Sequence, residues 1–256
     1  MNNGIVRSLT VLADGEQVTG FRHACLTGRE ALGPEPLPYL LRMLNLADAG
    51  YAQLAAAKTV AVLREDRLLA RGQVSVVYRR TVREGTLTEA VFSPGLALWE
   101  APVSLSVEAG VTVSETVRRI LEASGTGIRL LPFAGPDPVF ARGQAFWGRA
   151  AECVSEALSA AHARMWLTEA GLCVVPAEKT PVSLVLTETD LTGMPAFAGG
   201  RMILRTAPAG WPLGKRMEVK WKNGSAEGLV SERYTEADNL TGNWFTELLA
   251  ETEAPL

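Results

Sequence analysis

The segment from Lys215 to Thr235 constrains the fold more than any other part of the chain. It alternates between apolar and charged residues and is interrupted by Asn223-Gly224, the dipeptide most typical of a two-residue hairpin turn. Because side chains alternate across a strand, one face is predicted to be buried and the other solvated. The predicted buried face comprises Met217, Val219 and Trp221, and the predicted solvated face comprises Arg216, Glu218, Lys220 and Lys222.

A two-residue turn at Asn223-Gly224 also predicts which residues face each other across the hairpin. The predicted pairs are Lys220 with Glu227, Trp221 with Ala226, and Val219 with Gly228. The first pair would bring opposite charges together on the solvated face, and the last would leave room for the indole ring. This part of the chain is therefore expected to be antiparallel sheet.

The first hundred residues have the pattern of an antiparallel meander with short turns. Ala13-Asp14-Gly15-Glu16 and Arg83-Glu84-Gly85 are predicted turns, and Val74, Val76 and Tyr78 are predicted to share one strand face. The predicted strands are Ile5 to Leu12, Gln17 to Leu26, Thr59 to Leu63, Gln73 to Tyr78 and Thr86 to Phe92. Pro34, Pro36 and Pro38 predict an excursion from the sheet, followed by short helices at Leu40 to Leu46 and Tyr51 to Ala57.

The middle of the chain has helical periodicity instead. Thr112-Val113-Ser114-Glu115 predicts a capping box at a helix start, and Ser124-Gly125 predicts the end of that helix. A second helix is predicted from about Gln144 to Arg164. Short strands are expected at Ile128 to Leu131, Met165 to Leu167 and Leu172 to Val175. The order β, then α/β, then β predicts a mainly β fold with an α/β insert, an α+β class.

Composition excludes several classes of protein. Hydrophobic residues make up 47% and charged residues 21%, which is incompatible with a wholly disordered chain. The net charge of -3 gives no general attraction to nucleic acid or anionic lipid. No secretory signal is recognised at Met1, so synthesis and folding in a cytoplasm are expected. The three cysteines are odd in number and widely spaced, which predicts free buried thiols.

Candidate chemical groups are few. His23 and Cys25 would point the same way on a strand, but no further ligand follows at metal spacing, and His162 suits a helix end. Glu188 and Asp190 form a carboxylate pair that could serve a glycosidase, but no sugar platform is recognised nearby and a solvated turn is the favoured explanation. Packing in cores and between subunits is the favoured role of the six tryptophans at 99, 147, 166, 211, 221 and 244. No catalytic, cofactor-binding or metal-binding residue is predicted.

Four stretches of the sequence carry a family resemblance. They are Ser93 to Trp99 (SPGLALW), Val111 to Gly127 (VTVSETVRRILEASGTG), Gly171 to Pro176 (GLCVVP) and Asn239 to Thr246 (NLTGNWFT). Together they resemble the tail hub proteins of tailed phages, and the related late-control and baseplate-hub proteins of contractile injection systems. The similarity is spread over most of the chain, and none of the four stretches is a catalytic fingerprint.

The resemblance implies a non-enzymatic hub subunit at the tip of a phage-type tail. Two tube-like β-barrel units, 1–106 with a helical excursion near 36–57 and 177–256, would flank an α/β insert at 107–176. Three copies would present six barrels, matching a sixfold tail tube or distal-tail ring on one side and a threefold spike or fibre assembly on the other. The tape-measure protein, and later DNA in transit, would pass through the channel. The expected location is the virion tail tip, with no cofactor and no stable membrane association.

Two other functions stay open from the sequence. One is a tail-associated peptidoglycan or glycan hydrolase with Glu188, Asp190 or another carboxylate as the acid. The other is a carbohydrate- or receptor-binding adaptor that uses exposed tryptophans. No fused hydrolase is expected, because the chain ends soon after Trp244.

Overall fold

The computed structural model describes residues 7–168, 170–177, 180–240 and 242–252, which form seventeen strands and four α-helices. Strands account for 52% and helices for 16%, which confirms the prediction of a mainly β, α+β fold. Among these residues, thirteen strands join in one sheet, and two separate two-stranded sheets belong to the middle of the chain. Three hydrophobic cores follow one another in sequence.

The first β unit surrounds the first core. Its elements are β1 (Thr10–Ala13), β2 (Glu16–Val18), β3 (His23–Ala31), β4 (Tyr39–Leu44), α1 (Asp48–Ala56), β5 (Thr59–Arg64), β6 (Arg67–Val82) and β7 (Gly85–Ser93). The strands are hydrogen-bonded in the order β3-β4-β7-β6-β5-β1-β2, and side chains from all of them meet in one cluster. The sheet therefore curves around its own core. Asp14-Gly15 and Arg83-Glu84 form two-residue turns, close to where turns were predicted.

Two predictions for the start of the chain are wrong in their bounds. The strand expected at Ile5 to Leu12 is β1, which begins only at Thr10; Ile5 lies outside the described residues. The strand expected from Gln17 to Leu26 is divided between β2 and β3, because residues 19–22 are irregular.

The helix predicted at Leu40 to Leu46 is wrong, and this segment is strand β4. Tyr39, Leu41 and Met43 are completely buried while the residues between them are not, which is the two-residue period of a strand. β4 pairs with β3 on one side and with β7 on the other. Pairing on both sides outweighs the modest helix preference of leucine and methionine. The helix predicted at Tyr51 to Ala57 is confirmed as α1.

A β-bulge in β6 overturns the predicted shared face of Val74, Val76 and Tyr78. The register against β7 shifts between Val74 and Val76, so Ser75 is the extra residue. One extra residue inverts the alternation of the strand. Val74 and Val77 consequently pack against the core, whereas Val76 and Tyr78 are exposed on the opposite face.

The insert surrounds the second core. Its elements are α2 (Leu96–Glu100), β8 (Pro102–Val107), α3 (Val113–Ser124), β9 (Gln144–Arg149), α4 (Ala150–Ser159), β10 (Ala163–Thr168) and β11 (Gly171–Pro176). Thr112 caps α3 by accepting from the amide of Glu115 at 3.2 Å, and Gly125 ends it in the left-handed conformation. The Glu115 carboxylate is held by Arg118 and Arg119 in the next turn. Thr112 is thus a predicted cap that the structure confirms.

The helix predicted from Gln144 to Arg164 is only half helical. Gln144–Arg149 is strand β9, paired with β8, and helix α4 begins at Ala150. The sequence of this segment fits both states, and pairing with β8 buries Phe146. β10 and β11 contain the predicted strands Met165 to Leu167 and Leu172 to Val175. Ile128 to Leu131 contributes one parallel bridge, Leu130 to Leu172, and is no regular strand.

The second β unit surrounds the third core. Its elements are β12 (Val182–Thr187), a 3₁₀ turn (Glu188–Asp190), β13 (Ala196–Ala198), β14 (Arg201–Thr206), β15 (Arg216–Trp221), β16 (Gly224–Asp238) and β17 (Trp244–Glu251). The strands are hydrogen-bonded in the order β13-β14-β17-β16-β15-β12. Every pair is antiparallel except β12 with β15.

The hairpin of β15 and β16 is present, but its predicted register is wrong. Trp221 pairs with Gly224, so the two-residue turn is Lys222-Asn223 and not Asn223-Gly224. The observed pairs include Lys220 with Ser225, Val219 with Ala226, Glu218 with Glu227 and Met217 with Gly228. A Cβ at Gly228 would come within 2.9 Å of the Cβ of Ala250, so close packing of β16 on β17 requires glycine there. Met217 and Val219 are buried as predicted.

Strand β16 belongs to both β units. One edge pairs with β17 over most of its length, while the other edge pairs first with β15 and then with β3. The change of partner coincides with a register shift between Val230 and Glu232. Near the end of β16, Ala237 lies in the first core, whereas Val230 lies in the third. The two β units therefore share a continuous sheet.

Candidate assembly surfaces

Exposed and partly exposed apolar side chains lie side by side on one face of the first β unit. We define the first-unit face as the outward side of β4, β7 and β6: Leu40, Arg42, Leu44, Val76, Tyr78, Arg80, Leu87, Glu89 and Val91. These residues are brought side by side by the sheet register and alternate with the core residues of the same strands. The bulge in β6 places Val76 and Tyr78 here.

An ionic cluster lies at the centre of the first-unit face. The Glu89 side chain is only 3% exposed although it points outward, because Arg42 and Arg80 cover it. Each arginine donates from Nε to a different oxygen of Glu89, at 2.9 Å. Burial disfavours the carboxylate, but hydrogen bonds from Arg42, Arg80 and Tyr78 outweigh burial and lower the pKa of Glu89. The face thus carries arginine and tyrosine held in fixed positions, a composition typical of protein interfaces.

The second β unit has two sheet edges without a further strand partner among the described residues. β12 pairs only with β15, and β13 pairs only with β14. Val185 on β12 is half exposed, and Phe197 on β13 is exposed at 6.0 Å from the ring of Trp221. Unpaired strand edges with apolar residues are usually covered in the assembled state of a protein.

Trp147 is the most exposed large apolar residue that the structure describes. Its relative exposure is 82%, and it lies on the outward side of β9, across from Ser104. The other five tryptophans are partly buried. The Trp99 ring is covered by the guanidinium of Arg149, and Trp211 donates to Thr206 at 2.8 Å. Only Trp147 presents most of an indole ring to a partner.

The histidine and cysteine candidates are held in ordinary contacts. His23 is hydrogen-bonded to Asp238 at 2.8 Å, across from β3 to β16. Burial raises the pKa of the Cys25 thiol to about 11. His162 lies three residues beyond the end of α4, and its carbonyl accepts from the amide of Ala177. In the part of the chain that the structure describes, no three His, Cys, Asp or Glu side chains converge on a metal position.

The carboxylate pair proposed for glycosidase chemistry forms a solvent-exposed turn. Asp190 accepts from the amide and the hydroxyl of Thr187 at 2.8 Å, and these bonds lower its pKa. Glu188 accepts from the amide of Lys222 at 3.3 Å. A glycosidase acid requires a raised pKa so that it remains protonated at neutral pH. The hydrogen bonds to Asp190 shift its pKa in the opposite direction from the one that a glycosidase acid requires.

A buried polar network joins the three parts of the chain. Arg233 on β16 donates from Nη2 to Glu30 on β3 at 2.7 Å, and both side chains are less than 10% exposed. Glu30 also accepts from the Tyr39 hydroxyl at 2.9 Å and from the Trp166 indole at 3.3 Å. Arg233 donates from Nη1 to the carbonyl of Trp211 at 2.7 Å. These residues come from the first β unit, the insert and the second β unit.

A solvent-open cleft of about 580 Å³ lies beside this network. The first β unit contributes Leu68 and Gln73, the insert contributes Trp166 and Leu167, and the second β unit contributes Gly210. Sequence patterns indicate neither the cleft nor the network, because Glu30 and Arg233 are 203 positions apart. Neither residue has a local motif that would have revealed the pairing.

The fold is similar to that of a bacterial tail protein, a type VI secretion component and a prophage tail protein, as three solved structures show. The first is the tail protein from Neisseria meningitidis MC58, with a TM-score of 0.70 and 10% identity over 96% of each chain. The second is the Escherichia coli c3393 protein, a type VI secretion component with structural similarity to the T4 bacteriophage tail proteins gp27 and gp5. Its TM-score is 0.71 at 14% identity, covering 95% of this chain and 77% of that one.

The third structure is the 43 kDa tail protein of prophage MuSo2 from Shewanella oneidensis. Its TM-score is 0.68 at 9% identity, covering 95% of this chain and 97% of that one. No family model matches the sequence, and no curated protein matches it. The three solved structures confirm the predicted resemblance to tail hub proteins at the level of the fold. Within the described residues, no helix is long and apolar enough to cross a membrane.

Proposed function

We propose that this chain is a structural hub subunit at the tip of a phage-type tail and acts as a homotrimer. The observation that carries the proposal is the fold, which is shared over nearly the whole chain with tail proteins. The three copies would present six β units, which would match a sixfold tail tube or distal-tail ring above and a threefold spike or fibre assembly below. The division at 1–106, 107–176 and 177–256 stays a prediction.

Exposed apolar surface supports an assembled state. The first-unit face belongs to the first β unit, Trp147 to the insert, and the β12 and β13 edges to the second β unit. A stable protein interface buries about 1,200–2,000 Å² in total and favours tyrosine, tryptophan and arginine. A ring subunit needs at least two different faces for its neighbours, and further faces for the proteins above and below.

In the proposed hub, the first-unit face contacts a neighbouring subunit and the ring encloses the channel. The tape-measure protein, and DNA in transit, would occupy that channel. The protein would be made in the host cytoplasm and then reside in the virion tail tip, without catalytic activity of its own. The hydrolase alternative has no support at Glu188 and Asp190, whose hydrogen bonds stabilise a solvated turn.

Electron microscopy of the purified chain, combined with labelling of tails, tests the proposal. A threefold ring with a pseudo-sixfold outline, and labelled tail tips, are the expected results. Tyr78→Glu should prevent ring formation, because it places a carboxylate beside Glu89 in a desolvated interface. Glu84→Gln is the matched control, since this exposed residue lies in the β6–β7 turn outside the first-unit face. A chain that stays monomeric and is absent from tail tips would refute the hub.

A further inference from the structure

We propose that the first-unit face of one copy binds a surface on the second β unit of the next copy. We define this surface, the second-unit edge, as the unpaired edges that the structure describes on β12 and β13 and the residues that connect them: Val185, Glu188, Asp190, Met194 and Phe197. The inference rests on the proposed function, since it names the surface that the first-unit face contacts in the ring. Because one chain carries both surfaces, the occupant of each is a second copy of this chain.

The residues of the second-unit edge lie close together. The Phe197 ring on β13 is 6.0 Å from the Trp221 ring on β15, the strand that pairs with β12. Leu191, directly after the 3₁₀ turn, forms a bridge with Thr206 at the end of β14, the strand that pairs with β13. The chain therefore crosses from β12 to β14, and the β12 and β13 edges belong to one surface.

Both surfaces expose large apolar side chains. Nine such residues are exposed in the part of the chain that the structure describes, and five of them lie here: Val76 and Tyr78 on the first-unit face, and Val185, Met194 and Phe197 on the second-unit edge. Covering exposed apolar surface stabilises an assembly. The apolar residues thus favour burial of the two surfaces, and the charges select the partner.

Two guanidinium groups give the first-unit face its charge. The Arg42 side chain is 46% exposed and the Arg80 side chain is 56% exposed, while the Glu89 carboxylate that they share is covered. Each arginine uses only Nε to bind Glu89, and its Nη groups make no hydrogen bond to other described residues. Two guanidinium groups and one carboxylate give this face a net charge of +1. A surface that carries carboxylates is the matching partner.

The second-unit edge supplies those carboxylates. Glu188 and Asp190 are exposed and are the only charged residues in the segment 180–200. Asp190 accepts from Thr187 through Oδ2, and Glu188 accepts from the amide of Lys222 through Oε2, so the second oxygen of each carboxylate accepts no hydrogen bond from the described residues. Two carboxylates and the neighbouring Lys222 ammonium group give a net charge of -1, opposite to that of the first-unit face.

The charges also disfavour a contact between two identical surfaces. Two first-unit faces would place arginines against arginines, and two second-unit edges would place carboxylates against carboxylates. Like charges that meet in an interface oppose association. The contact is therefore heterologous, with the first-unit face of one copy against the second-unit edge of the next. Such a head-to-tail contact forms a ring when its rotation closes, as a homotrimer requires.

Mixing two variants that are each blocked on a different surface tests the proposal. Tyr78→Glu blocks the first-unit face with a carboxylate beside Glu89, and Val185→Lys/Glu188→Lys blocks the second-unit edge with positive charge. The three positions are exposed, so both variants should unfold in urea like the unchanged chain. In sedimentation velocity, each variant alone should be monomeric. The equimolar mixture should form a dimer of one copy of each, because one intact pair of surfaces remains.

Further changes within the mixed dimer measure the charge recognition. Arg80→Gln in the copy with the intact first-unit face should weaken the dimer about fivefold, and Glu188→Gln/Asp190→Asn in the other copy should have a similar effect. Both changes together should weaken it by less than the product of the two, because each removes the partner of the other. Arg83→Gln and Glu122→Gln are the matched controls and should have no effect, since these exposed residues lie outside both surfaces.

Failure of this contact and failure of the hub give different results. A mixture that stays monomeric, or a single variant that still assembles like the unchanged chain, would overturn the contact and leave the hub to be decided by micrographs and tail labelling. Equal effects of Arg80→Gln and Arg83→Gln would overturn the charge recognition. A mixed dimer, without a threefold ring of the unchanged chain, would support the contact and count against the hub.

Discussion

Replacing Glu30 by leucine should destabilise the protein by about 4 kcal/mol, because it leaves a buried arginine without its counter-charge. The Arg233 side chain is 8% exposed, and its Nη2 atom lies 2.7 Å from Glu30. Removing one partner of a buried ion pair costs about 3–5 kcal/mol. The Tyr39 hydroxyl and the Trp166 indole also lose their acceptor, which keeps the expected loss above the lower limit of that range.

The double variant Glu30→Leu/Arg233→Met is the informative comparison. It removes both charges and replaces them with apolar groups, so it should lose only about 1–2 kcal/mol, mainly from the unpaired Tyr39 hydroxyl. The double variant should therefore be more stable than Glu30→Leu alone. The two single changes should therefore be strongly non-additive, with a coupling energy of at least about 2–3 kcal/mol between the two sites.

Urea unfolding monitored by circular dichroism provides the measurement, with equal m-values required for the comparison. Tyr39→Phe serves as the control for the hydroxyl and should cost about 1 kcal/mol. The reasoning is refuted if Glu30→Leu costs less than about 1 kcal/mol, or if the two single changes add without coupling.

Three further outcomes follow from individual contacts. The Arg164 hydrogen bonds lower the pKa of Glu251 below its ordinary value of 4.5. This pair therefore stabilises the protein fully above pH 4.5, and the stabilisation is lost as the pH falls. Arg164→Gln should lower the free energy of unfolding by about 0.5–1 kcal/mol at pH 7 and should flatten the acid side of the curve of stability against pH. Gly28→Ala would place a Cβ in the ring of Tyr39 and should cost about 1–3 kcal/mol in urea unfolding, whereas a change within ±0.5 kcal/mol would contradict the packing. The raised pKa of Cys25, about 11 against 9.0 ordinarily, should slow its alkylation at pH 8 by about 100-fold relative to the urea-unfolded chain, and equal rates would contradict its burial.

Local patterns predicted the parts of the fold that local chemistry determines. The α3 cap at Thr112, helix α1 and the existence of the β15–β16 hairpin depend on residues within a few positions of each other, and all three are present. The errors share one cause. Leu40 to Leu46 and Gln144 to Arg149 are compatible with helix by themselves, and only pairing with distant strands makes them β.

The register of the β15–β16 hairpin and the exposed side chains of β6 were predicted wrongly for a related reason. Asn223-Gly224 favours one turn in isolation, but the packing of Gly228 on Ala250 belongs to a different register. The bulge at Ser75 has no distinct sequence signal, yet it determines which side chains of β6 face solvent. Candidate surfaces depend on such registers, so the first-unit face emerged only from the structure.

The sharing of β16 has a consequence for the order of events during synthesis. β3 pairs with β4 inside the first β unit, but its other edge pairs only with Glu232–Asp238 of β16. At about 5–20 residues per second, a ribosome needs roughly 7–30 s to extend the chain from the end of β7 to the end of β16. Throughout that interval the nascent first β unit exposes an unpaired strand edge, which is a site for premature association with other chains.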